Sequence, residues 1–189
     1  MTILIAGILL WSVVHLFTAL GVQQRGRLLD RMGSGPYRGT YSLLLILSIV
    51  LMVLGWRSTT PSVVYTPDPA LRPVTLALMY VALTLFFSHR APTDIRRVLR
   101  HPQLTGLLTW AVAHLISNGD SRSVVLFGGL GLWAIVEMIV INRRDGAWIR
   151  PEPAGMPKSL IPLAIGAVAW VLIGFLHPWI AGVPVFVRG

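Results

Sequence analysis

The sequence predicts an all-α, polytopic transmembrane bundle of about six helices, and three observations carry that prediction. Hydrophobic residues make up 54% of the 189 residues and charged residues only 12%, with a mean hydropathy of +0.72, whereas soluble domains are about a quarter charged. The apolar residues gather in runs long enough to cross a hydrocarbon core of roughly 30 Å. The charged residues fall between the runs, and a segment in lipid can satisfy its own backbone polar groups by being helical.

Segments 2–22, 40–56, 73–88 and 160–176 are the clearest spans, the second and third once each is extended by a turn into its flanks. No basic stretch precedes the first and no small-residue cleavage site closes it, so it reads as a helix that stays in the protein rather than a removed signal. Segments 104–117 and 124–142 are separated by Asn118-Gly119-Asp120-Ser121, a polar turn that makes the flanking helices antiparallel neighbours. Pro102 suits the first position of the earlier one, because the N–H it lacks has no partner there anyway. No internal repeat or long linker divides the chain, so residues 1–189 read as a single domain.

Basic residues alternate from loop to loop. Arg25, Arg27, Arg31 and Arg38 follow the first span; Arg90, Arg96, Arg97 and Arg100 follow the third; Arg143, Arg144, Arg150 and Lys158 follow the fifth. The second loop has only Arg57 and Arg72, and the fourth Arg122. The three basic loops therefore share the cytoplasmic side, and the N-terminus lies outside. The net charge of +9 and isoelectric point near 11.4 reflect this pattern and not a nucleic-acid surface, since no continuous basic face or tail forms. The absence of cysteine excludes disulfides, thiolate ligands and cysteine nucleophiles, leaving His, carboxylate or Met to hold any metal.

Depth sorts the five histidines. His89 and His101 flank the basic third loop and His177 precedes Pro178 at the end of the last span, so these three lie near water. His15 and His114 sit inside apolar runs, where an ionisable side chain is costly and points to function. At 1.5 Å per residue, His15 lies roughly 10 Å below the cytoplasmic surface and His114 roughly 15–20 Å along its helix. Two imidazoles at similar depth on two helices are what axial ligation of a haem iron requires; equally, each can be a core histidine bonded to a neighbouring carbonyl.

The run Arg100-His101-Pro102-Gln103-Leu104-Thr105-Gly106, with Trp110, Ala113-His114-Leu115 and Asn118-Gly119-Asp120, resembles the NnrU family of bacterial membrane proteins. His15-Leu16, Pro36-Tyr37-Arg38-Gly39, Gly55-Trp56, Phe127-Gly128-Gly129, Arg143-Arg144 and His177-Pro178-Trp179 extend the likeness over essentially the whole chain. That family is associated with denitrification and is similar to the 15-cis-zeta-carotene isomerase, a membrane enzyme that holds haem b. The resemblance implies an inner-membrane protein with haem b iron held by His114, which matches the isomerase's Ala-His ligand, and by His15, aligned on depth. Its implied role is redox-linked: isomerisation of an apolar polyene-like substrate, electron transfer, or sensing of a small gas. Ala111 stands where the isomerase has a cysteine, so a thiolate exchange has no counterpart here. A non-enzymatic partner of the denitrification reductases is the alternative. Arg-His-Pro with its following glycine is also similar to isoprenylcysteine-type membrane methyltransferases, although nothing after Arg144 matches their cofactor signature.

Arg100, His101, Arg143 and Arg144 collect where the fourth span begins and the fifth ends, a cluster suited to haem propionates or simply to the topology rule. Trp110 lies one turn before His114 and is placed to pack on a porphyrin, while the other tryptophans read as interfacial anchors. Glu137, deep in the fifth span, needs a partner, either Arg143 or Arg144 or a proton relay. Met52, Met79 and Met138 read as packing residues, and Gly128, Gly129 and Gly131 give the fifth span a thin face. No Ser–His–Asp arrangement or zinc-protease motif occurs, which sets hydrolysis aside.

Overall fold

A computed structural model describes residues 1–186 of the chain, and it is helical almost throughout. In order come α1 (Thr2–Leu20), α2 (Val22–Met32), α3 (Ser34–Ser58), α4 (Arg72–Ser88), the short α5 (Ile95–Val98), α6 (Pro102–Ser117), α7 (Ser121–Asp145) and α8 (Met156–Ala181). Among the described residues no strand forms, only an isolated bridge between Val63 and Asp120. Among the described residues five helices are long and apolar enough to cross a membrane: α1, α3, α4 with the 3₁₀ turn before it, α7 and α8. The chain is a membrane protein. The expected sixth span, α6, has 16 residues, about 24 Å of rise, and packs between α4 and α7.

Two stretches differ from the sequence reading. The first basic loop is largely α2, whose Val22, Leu28, Leu29 and Met32 share one side while Arg27, Asp30 and Arg31 share the other. With no buried residue, α2 has the composition of a helix lying along a membrane interface. The second span starts at Ser34 rather than near Thr40, because Gly33 takes φ 80° and Pro36 falls in the first turn, where its missing N–H costs nothing.

The helices pack as a series: α3 on α1, α1 on α7, α7 on α6, α6 on α4 and α4 on α8. Small residues allow the close approaches. A methyl group on Gly7 would stand 2.7 Å from the Met52 amide nitrogen, and one on Gly55 would overlap the Leu4 backbone. On α7, Gly129 faces Ile8 and Gly131 faces Ala111, so the thin face expected there meets both α1 and α6; Gly128 faces open space. Leu4, Ile8, Met52 and Leu130 form the buried core, with Trp11 and Trp110 packed against it.

Each end of the series is tied by polar contacts. At the basic end, Arg100 donates to the Gly146 carbonyl at 2.7 Å, and the Asp94 carboxylate accepts from the Ala154 amide at 2.9 Å and the Ser159 hydroxyl at 3.2 Å. At the far end the N-terminal ammonium donates to Thr59 Oγ1, and the Val64 and Tyr65 amides donate to the Gly119 carbonyl at 2.8 and 3.0 Å. The turn between α6 and α7 is therefore held by the linker before α4. Asp120 caps α7 by accepting from the Arg122 and Ser123 amides.

Candidate functional site

The two deep histidines are built alike. The Nδ1–H of His15 donates to the Trp11 carbonyl at 2.9 Å, and that of His114 donates to the Trp110 carbonyl, also at 2.9 Å. In each case the tryptophan one turn earlier lies beside the imidazole, with ring centroids 4.3 and 4.8 Å apart. A carbonyl can only accept, so Nδ1 carries the proton and the Nε2 lone pair is left free. That is the arrangement in which a histidine ligates a metal, its far nitrogen oriented by a backbone carbonyl.

His15 opens on a cavity of about 480 Å³ at the basic end, between α1 and α6 and across α7. Trp11, Trp133 and Glu137 line its depth; His89, Arg96, Arg100 and His101 line its mouth. Three buried polar atoms here lack a well-formed hydrogen bond: Trp11 Nε1, and the Trp133 Nε1 and Glu137 Oε2 pair, a donor and an acceptor one turn apart on α7 that approach each other without closing one. Such polar atoms are costly in a protein interior, and three around one cavity mark a place that a polar ligand would complete. Of the charged residues expected here, Arg100 and His101 line the cavity, the latter with Nε2 on Asn142 Oδ1 at 2.8 Å. Arg143 and Arg144 do not; Arg144 pairs with Asp145 at 2.7 Å, so Glu137 finds neither arginine.

His114 lines a different cavity, of about 200 Å³, at the far end between α4, α6 and α8, together with Arg72, Thr75, Ser117, Asn118 and His177. The two levels can be compared on α7, which touches both histidines. His15 lies beside Trp133, with centroids 4.8 Å apart, and His114 stacks on Phe127 at 4.4 Å. Those partners are six positions apart, about 9 Å of helical rise. The structure thus separates His15 from His114 and gathers His114 with His177, which the sequence places near water. Trp110 packs on Phe127 at 4.8 Å and on the core. Met52 is core, and Met79 lines the far cavity.

His89, Arg96, Trp11 and Trp133 are functional candidates that sequence reasoning passed over. Trp11 had a visible signal: the spacing Trp11 to His15 repeats that of Trp110 to His114. Arg96 and His89 had none beyond their loop charge, since it is the packing of α4 on α6 that brings them to the mouth. Partial burial, with Arg90 and Arg96 nearby, holds the His89 imidazole below its ordinary pKa, so it is uncharged at neutral pH.

No curated protein and no solved structure matches the chain. Residues 3–185 do match a family described as NnrU protein. The match covers α1 through the end of α8, both Trp-x-x-x-His turns and both cavities, and on it the chain belongs to the NnrU family.

Proposed function

We propose that this chain is a haem b-binding protein of the bacterial inner membrane, with its basic end cytoplasmic and the haem in the basic-end cavity on His15. One observation carries the reading: a single cavity combines a free, carbonyl-oriented imidazole nitrogen, the unpartnered Trp11 Nε1 and two arginines at its mouth. Its volume of about 480 Å³ falls in the range of cofactor and ligand sites, roughly 300–1,000 Å³. His15 Nε2 would hold the iron, Trp11 and Trp133 would flank the ring, and Arg96 and Arg100 with His101 would pair with the propionates. Bound there, haem b supplies a one-electron couple and an iron able to bind a small gas or polarise a polyene. The residues around it exclude bulk water and fix which imidazole nitrogen faces the site.

We place the iron on His15 and not jointly on His15 and His114, a choice supported by the two lining separate cavities. Nor does the packing favour a purely structural role for them as bonds between helices, since each Nδ1 bonds its own helix. We further propose a redox-linked role associated with denitrification, a reading that membership of the family and the make-up of this cavity support.

Haemin titrated into the full-length protein in detergent tests the reading. A saturable Soret band at one haem per chain is expected, and His15→Ala should abolish it or weaken haemin binding many-fold. A protein that stays colourless at full stability would contradict it.

A further inference from the structure

We propose that the far-end cavity is a binding site for the head group of a long-chain isoprenoid quinone, with the tail lying in the groove between α4 and α8. The cavity has one polar end and otherwise apolar walls. At the polar end His114 presents an Nε2 lone pair, its Nδ1–H being spent on the Trp110 carbonyl. His177 does the same, with Nδ1 on the Val183 carbonyl at 2.6 Å. Beside them the hydroxyls of Thr75 and Ser117 share a hydrogen bond at 2.7 Å, and Thr75 also reaches the Leu71 carbonyl at 3.4 Å; with Thr75 donating to Ser117, the Ser117 proton is left to turn toward a ligand. Acceptors and donors thus occur together, as the hydroxyls of a quinol and the carbonyls of a quinone require.

Charge and size narrow the ligand class. Among the described residues no carboxylate lines the cavity, and the one cation there, Arg72, directs an N–H at the Val185 carbonyl at 2.6 Å; the rest of the polar lining is hydroxyl, amide and imidazole, which suits an uncharged head group. About 200 Å³ is below the usual range for drug-sized ligands, room for a single ring against Met79 and Trp170 and not for a porphyrin. Leu76 and Trp170 also line a second groove, with Pro73, Ala77, Tyr80, Ala167 and Val171, that is almost wholly apolar. Trp170 is fixed between the two by its Nε1–H on the Leu76 carbonyl at 3.0 Å. A ligand with a hydrogen-bonding ring at one end and an apolar chain at the other would occupy both, reaching the head site from within the bilayer. This site shares no residue with the basic-end cavity and stands independently of the haem reading.

The test is photolabelling of the full-length protein in nanodiscs with a short-chain azidobenzoquinone, followed by peptide mapping. Labelling is expected on the peptides carrying Leu76–Met79 and Trp170–Gly174, removed by excess decylubiquinone and left intact by excess phosphatidylglycerol. Ser117→Ala and His114→Gln should each lower the labelling yield about tenfold, the loss of one well-made hydrogen bond. Ala167→Phe fills the tail groove from its lipid side and should lower it with the head site intact; unfolding midpoints of the three variants separate lost binding from lost fold. His15→Ala should leave the yield unchanged. Labelling spread over all helices, labelling indifferent to these variants, or competition by phospholipid as strong as by decylubiquinone would overturn the assignment.

Discussion

Phe127 stacks on the imidazole of His114, with ring centroids 4.4 Å apart and planes within 25° of parallel. The contact sets the level of His114 on α7, and it differs from the level of His15, which lies beside Trp133 further along the same helix. Five histidines thereby resolve into two groups. His15, His89 and His101 surround the basic-end cavity; His114 and His177 surround the far one.

The arginines of the basic end should separate by position. Arg96→Ala and Arg100→Ala each remove a charge from the cavity mouth and should weaken haemin binding about tenfold, as expected for a lost charge-assisted hydrogen bond. Arg143→Ala should leave the titration unchanged, since that side chain does not line the cavity. Equal effects at all three positions would mean that net charge, and not the site, governs binding.

Helix approach gives a stability prediction independent of any ligand. Gly55→Ala forces a methyl group into the Leu4 backbone, where α3 cannot move without parting from α1, and should cost about 1–3 kcal/mol. Gly128→Ala meets no neighbour and should be neutral or stabilising by about 0.5–1 kcal/mol, the ordinary gain of alanine over glycine in a helix. Denaturation midpoints in one detergent, measured side by side, check the contrast.

Asp94 makes the junction between α5 and α8 sensitive to acid. The Ala154 amide, with the Ser159 hydroxyl and nearby Arg97, holds its carboxyl below the ordinary range. A carboxyl lowered in the folded state adds stability above its unfolded pKa, about 3.9, and loses it as pH falls through the lower folded value. Wild type should therefore melt above Asp94→Asn at neutral pH, and the gap should close progressively below about pH 4. A gap that persists unchanged into acid would show that the hydrogen-bond geometry, and not the charge, matters.

Apolar run length and the alternation of loop charge made the bundle legible in the sequence, and Asn118 to Ser121 made the α6–α7 turn legible. The start of α3 was less so, because a proline that reads as a breaker is harmless in a first turn. For the site, the sequence singled out His15, His114, Arg100 and His101 from burial cost and charge. It could not say which of them meet. That depends on lateral packing order, and with α7 standing between α1 and α6, rise along each helix alone misjudges whether two depths coincide. Trp133 and Glu137 gather beside His15 only because α7 turns that face to α1, and a single sequence does not print helix rotation.

Haem content of the His114→Ala protein, read from its absorption spectrum beside those of wild type and His15→Ala, bears most directly on the account. A haem held in the basic-end cavity on His15 predicts that His114→Ala keeps wild-type stoichiometry and spin state while His15→Ala loses them. Equal loss in both variants would contradict the account, and would mean that a single iron draws the two histidines together.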